Sequence, residues 1–141
     1  MKKGGKKGAS QEKPQSKKFN REQQQDDLRK IAETEDMDEL IELSRSQDPL
    51  IRQKAAQQMC PCRVGRDYEE FWARTFELAE DEDATVRYQI LHNMCDGSPD
   101  GYEDKVSECL EIFNRDEDKE IRRKAHKVLA SYLRTGKWNV L

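Results

Sequence analysis

One stretch returns twice at a fixed interval, and that return constrains the fold more than any other feature. Asp48-Pro-Leu-Ile-Arg-Gln-Lys-Ala-Ala-Gln-Gln-Met-Cys60 is followed 35 residues later by Asp83-Ala-Thr-Val-Arg-Tyr-Gln-Ile-Leu-His-Asn-Met-Cys95. After the same interval comes Asp118-Lys-Glu-Ile-Arg-Arg-Lys-Ala-His-Lys-Val-Leu-Ala130. Without gaps, the copies align Asp48/Asp83/Asp118, Ile51/Val86/Ile121, Arg52/Arg87/Arg122, Ala55/Ile90/Ala125 and Met59/Met94/Leu129. A constant period of this length with a shared apolar pattern marks stacked supersecondary units, each of which buries its apolar face only against its neighbours. Only 34% of the chain is hydrophobic while 39% is charged, which suits a thin core between two helix layers better than a deep globular one.

The upstream half of each unit keeps the same period, with Leu40/Thr75/Leu110 and Leu43/Leu78/Phe113 in register. Its apolar residues recur at helical spacing, which predicts a first helix ahead of each repeated stretch. Asp48, Asp83 and Asp118 are placed to cap the second helices, and Pro49 suits a first helical turn. Pro61–Arg66 and Asp96–Gly101 read as stops between units, and Gly136 as the C-cap of the last helix. The expected layout is a disordered tail over 1–18, a capping helix over 19–34 started by Asn20, and repeats over about 36–62, 67–97 and 102–135. Residues 136–141, which carry Trp138, Val140 and Leu141, are expected to fold back as a C-terminal cap.

These residues resemble HEAT repeats. The family's signature is an acidic turn, then Val/Ile-Arg, then Ala three residues on, in the second helix of an antiparallel pair. Asp81-Glu-Asp83…Val86-Arg87 and Asp116-Glu-Asp118…Ile121-Arg122…Ala125 carry it, as does Asp48-Pro49…Ile51-Arg52…Ala55. The departures are Ser46 where the later repeats have Asp81 and Asp116, and Ile90 in place of the small Ala. The resemblance spans about residues 36–135. It implies an all-α right-handed solenoid in which Arg52, Arg87 and Arg122 pair with acids across the repeat turns. It says little about function, since fold does not imply function.

Function must then be sought on the surface. In such solenoids the second helices line a concave face commonly used for binding. The outward positions form two columns, Gln53/Tyr88/Arg123 and Gln57/His92/Lys127, increasingly basic toward the C-terminus. That surface is expected to take an acidic or phosphorylated protein segment, with Tyr88 and Arg123 contributing most. The net charge of −3 conceals a second feature: residues 1–18 sum to +6 and the remainder to −9. Lys2, Lys3, Lys6, Lys7, Lys13, Lys17 and Lys18 form a tail able to attract phosphate without reading sequence, so weak nucleic-acid association is the alternative expectation.

Other chemistries find less support. Cys60-Pro-Cys62 and His92-Asn-Met-Cys95 offer the residue types of a Cys₃His zinc site. Yet Cys60 and Cys95 align with Ala130, a small core position, and His92 falls in the outward column. The four cysteines are expected to be reduced and buried, and no metal or cofactor is expected. His92 and His126, the two histidines of the chain, sit in no nucleophile–base arrangement, so an enzyme is not expected. No apolar run approaches the roughly 18 residues that would span a bilayer. The expectation is an intracellular interaction scaffold, monomeric or part of a complex.

Overall fold

The computed structural model describes residues 13–65, 67–96 and 101–137, with side chains from Asn20 onward. Among these residues the chain is all-α, with no strand: α1 (Lys13–Glu33), α2 (Met37–Leu43), α3 (Pro49–Gln58), α4 (Glu69–Leu78), α5 (Ala84–Asp96), α6 (Glu103–Phe113) and α7 (Lys119–Thr135). A 3-10 turn, Pro61–Arg63, follows α3. Among the described residues no helix is long and apolar enough to cross a membrane.

The second helices begin as the aspartate spacing predicts. Asp48 accepts from Leu50 N at 3.0 Å, Asp83 from Thr85 N at 2.9 Å, and Asp118 from Glu120 N and Ile121 N at 2.9 and 3.0 Å. Each carboxylate satisfies amides that the first helical turn leaves without a partner. At the far end, Gly136 closes α7 at φ 76°, donating its N–H to Tyr132 O at 2.8 Å. A side chain would be strained in that left-handed conformation. The turn is tied further by Ser131 Oγ, which donates to Lys137 O at 2.9 Å.

Packing follows the repeat. α3 lies against α5 and α5 against α7, while α2, α4 and α6 each pack on the helix that follows them. Ile51, Val86 and Ile121 are fully buried, as are Ala55, Ile90 and Ala125. Ile90 is thus accommodated where its equivalents are alanines. Each buried branched residue contributes about 1.5–3 kcal/mol, so the repeated positions supply the main cohesion between units. Trp72, the largest buried side chain among the described residues, donates its indole N–H to Gly65 O at 3.1 Å and stacks on Tyr102 at 5.3 Å between centroids.

The N-terminal boundary differs from expectation. α1 starts at Lys13, so Lys13, Lys17 and Lys18 lie in a helix rather than a disordered tail, and Asn20 is an exposed interior residue, not a cap. The physical reason is propensity: Lys, Gln, Arg and Glu between 15 and 25 are good helix formers, and Pro14 is tolerated in a first turn. α1 packs on α2 and α3, with Ile31 buried and Gln24 Nε2 donating to Asp48 Oδ2 at 2.7 Å. Lys2, Lys3, Lys6, Lys7 and residues 138–141 lie outside the described residues.

Candidate partner-binding surface

The helices that carry the two columns are tied to one another by ion pairs between their turns. Arg52 Nε and Nη2 reach both oxygens of Asp81 at 2.9 and 3.0 Å, and Arg87 repeats the contact on Asp116 at 2.8 and 2.9 Å. The remaining Nη1 donates to the carbonyls of residues 46 and 47 in the first case, 81 and 82 in the second. Each arginine therefore joins its own turn to the acid of the next turn, 29 residues on. Ser46 consequently does not break the first link, because the acid Arg52 needs is Asp81. Ser46 also keeps the local role of the acids: its hydroxyl accepts from Asp48 N, as Asp81 does from Asp83 N and Asp116 from Asp118 N.

The electrostatics agree with this geometry. Hydrogen bonding to Asp81 and Asp116 holds the Arg52 and Arg87 guanidiniums above their ordinary pKa, against the effect of burial. Burial pushes the Asp116 carboxyl up, but the Arg87 hydrogen bond, the Asp118 N–H and the nearby charges of Arg87 and Arg122 together hold it below the usual carboxylate range.

A polar chain crosses the same helices. Gln53 Nε2 donates to Gln89 Oε1 at 3.2 Å, and Gln89 Nε2 to Asn93 Oδ1 at 3.0 Å. Buried Asn93 then donates Nδ2 to the carbonyls of Ala56 and Met59 at 2.8 and 3.2 Å, at the C-terminal end of α3. Gln53, expected to face a partner, is thus partly committed to the scaffold. Asn93 was not singled out from the sequence, because an Asn between His92 and Met94 carries no periodic signal.

The other predicted positions are accessible. Gln57, Arg123 and Lys127 are exposed, and Tyr88 and His92 half-buried. Gln53, Tyr88 and Gln89 share a shallow pocket of about 360 Å³ with Ala84, Thr85, Asp118 and Glu120. Lys124 Nζ stands 5.6 Å from the Tyr88 ring centroid, an arrangement that attracts the ammonium to the ring face. Arg123 Nη1 bonds Glu120 Oε1 at 3.2 Å, and His92 Nε2 lies 3.3 Å from Asp96 Oδ2. The basic character is therefore concentrated on α7, at Lys124 and Lys127, and is partly offset around Tyr88 by Asp118 and Glu120.

The cysteines divide into two pairs, which corrects the expectation of four reduced buried thiols. Cys60 and Cys62 are joined by a disulfide across Pro61, with Cα atoms 5.3 Å apart. The 35-residue register aligns Cys60 with Cys95 and gives no signal for a partner two residues away. Cys95 and Cys109 are free and buried, and burial pushes their pKa values up to about 12 and about 11. Among the described residues no three His, Cys, Asp or Glu side chains converge to hold a metal ion.

Compared with known proteins, the chain matches no family model, no curated protein and no solved structure.

Proposed function

We infer that the chain is a short right-handed α-solenoid of three HEAT-like repeats, α2/α3, α4/α5 and α6/α7, with α1 as its N-terminal cap. It acts as a non-enzymatic scaffold that binds a protein segment along the concave face formed by α3, α5 and α7. The observation that carries this reading is the ladder of Arg52–Asp81 and Arg87–Asp116, which ties the turns of successive units in one register. A rigid preformed surface spends little free energy on ordering when a partner docks. The exposed cations Arg123 and Lys127, with Lys124 beside them, favour an acidic or phosphorylated segment. An intracellular setting, cytoplasmic or nuclear, fits this role.

A second reading rests on the charge division, +6 over residues 1–18 against −9 elsewhere. A nucleic-acid-associated protein would use the Lys-rich tail for phosphate contacts, and its affinity would fall steeply with salt. The two readings separate in one experiment on three baits: the intact chain, a chain lacking residues 1–12, which leaves α1 whole, and Arg123→Glu/Lys127→Glu. Arrays of acidic and phosphorylated peptides, and single-stranded oligonucleotides, are offered at low and moderate salt. Peptide binding that survives tail removal and is lost with the charge reversal supports the scaffold. Oligonucleotide binding that follows the tail, with no peptide bound by any bait, replaces it with the second reading.

A further inference from the structure

The third member of the arginine series is in register with the other two but lacks their partner. Arg122 Nη1 makes the turn contact, donating to Asp116 O at 2.6 Å, yet among the described residues no carboxylate meets the rest of its guanidinium. The residues one and two turns further along the helix change in the same way. Leu91 and Cys95 are 0% and 2% exposed in α5, whereas their equivalents in α7, His126 and Ala130, are exposed. Leu133, on the same side of α7, is 84% exposed. Among the described residues, the side of α7 that corresponds to the buried side of α5 is open, with a guanidinium fork at one end and a leucine at the other.

We propose that this C-terminal face docks a helical hairpin of another protein whose turn presents an aspartate to Arg122, as the Asp81 and Asp116 turns do to Arg52 and Arg87. The planar guanidinium accepts a carboxylate through two parallel N–H···O bonds, and Nε and Nη2 are the atoms left for it. A second copy of this chain does not supply that acid. Its corresponding turn has Ser46 in the register of Asp81 and Asp116, and α1 already lies over α2 and α3. Residues 138–141, Trp-Asn-Val-Leu, include no acidic side chain. The surface is distinct from the α3–α5–α7 face, and the proposal rests on the ladder alone.

The test titrates the full isotope-labelled chain with a synthetic peptide of residues 101–137, which carries the Asp116 turn, and with its Asp116→Asn form. Shifts at Arg122 Nε, His126 and Leu133 are expected with the first peptide. Affinity should fall about tenfold or more with the Asn form or with Arg122→Ala in the chain. A second measurement keeps the test decisive if the free peptide does not fold. Gly101 and Gly136 are register equivalents at φ 101° and 76°, so residues 101–137 can follow once more from position 136. The lengthened chain should unfold at higher urea than the original, and Asn for the added aspartate should remove most of the gain. The proposal is overturned if neither measurement shows a response, or if the Asn forms respond as strongly. It is equally overturned if the unmodified chain dimerises with concentration-dependent shifts at Arg122.

Discussion

Arg87 and Arg122 occupy the same place in their repeats and different environments, so the same substitution should have unequal effects. Arg87→Ala strands the Asp116 carboxylate, whose side chain is 6% exposed, and should cost about 3 kcal/mol in urea denaturation. Arg122→Ala removes an exposed guanidinium bonded to one carbonyl and should stay within about 0.5 kcal/mol. Equal losses would contradict the ladder. Thr75 offers the opposite case: its hydroxyl is buried with no hydrogen-bond partner among the described residues, in register with Leu40 and Leu110. Thr75→Val keeps the shape and removes the unmet polar group, so stability should rise by about 1 kcal/mol. The Asp116 carboxyl adds a pH dependence. Its pKa is lower folded than unfolded, so its contribution is present in full above about pH 4 and is lost as pH falls through the depressed folded value. Asp116→Asn should therefore flatten the acid limb of the stability curve below about pH 4, measured by urea midpoints against pH.

At the scale of elements, each second helix is started by an aspartate that the sequence marks openly. Asp118→Ala leaves the N–H groups of Glu120 and Ile121 without their acceptor and should cost about 1 kcal/mol by denaturation. These caps, the buried Ile/Val–Arg pattern and the Gly136 stop were legible because each is a local rule repeated at one period. The start of α1 was not legible, because a polar helix of Lys, Gln and Glu has no apolar periodicity to separate it from a tail. Ser44 shows a different limit. A polar residue just past the apolar stripe of α2, it is nonetheless fully buried, donates to Ile41 O and receives Arg74 Nε at 2.9 Å from the next unit. The Cys60–Cys62 pairing was not legible either, since two cysteines flanking one proline carry no periodic signal that separates a disulfide from two thiols. Of the candidate surface, exposure of Gln57, Arg123 and Lys127 followed from the helical columns. The commitment of Gln53 to Gln89, and the acids beside Tyr88, depend on side-chain contacts between helices that no single helix encodes.

The whole molecule depends on contacts between adjacent units, with α3, α5 and α7 in sequence and few paths around them. If the proposed solenoid holds, stability is close to a sum of unit and interface terms, and disruption should propagate to neighbours rather than across the whole chain. The chemistry of Cys95 and Cys109 reports on that integrity, because both thiols are buried and raised in pKa. Alkylation at pH 8 followed by mass spectrometry should leave both unmodified in the native chain and modify both in urea. The proposed surface is also a property of the whole molecule, because three helices assemble it. It is tested most directly by nuclear magnetic resonance mapping on the labelled full chain, titrated with the tightest peptide from the acidic and phosphorylated arrays. Shifts gathered on Gln57, Tyr88, His92, Arg123 and Lys127, and lost in Arg123→Glu/Lys127→Glu, are the predicted result. Shifts confined to Lys2, Lys3, Lys6 and Lys7, with α5 and α7 silent, would contradict it.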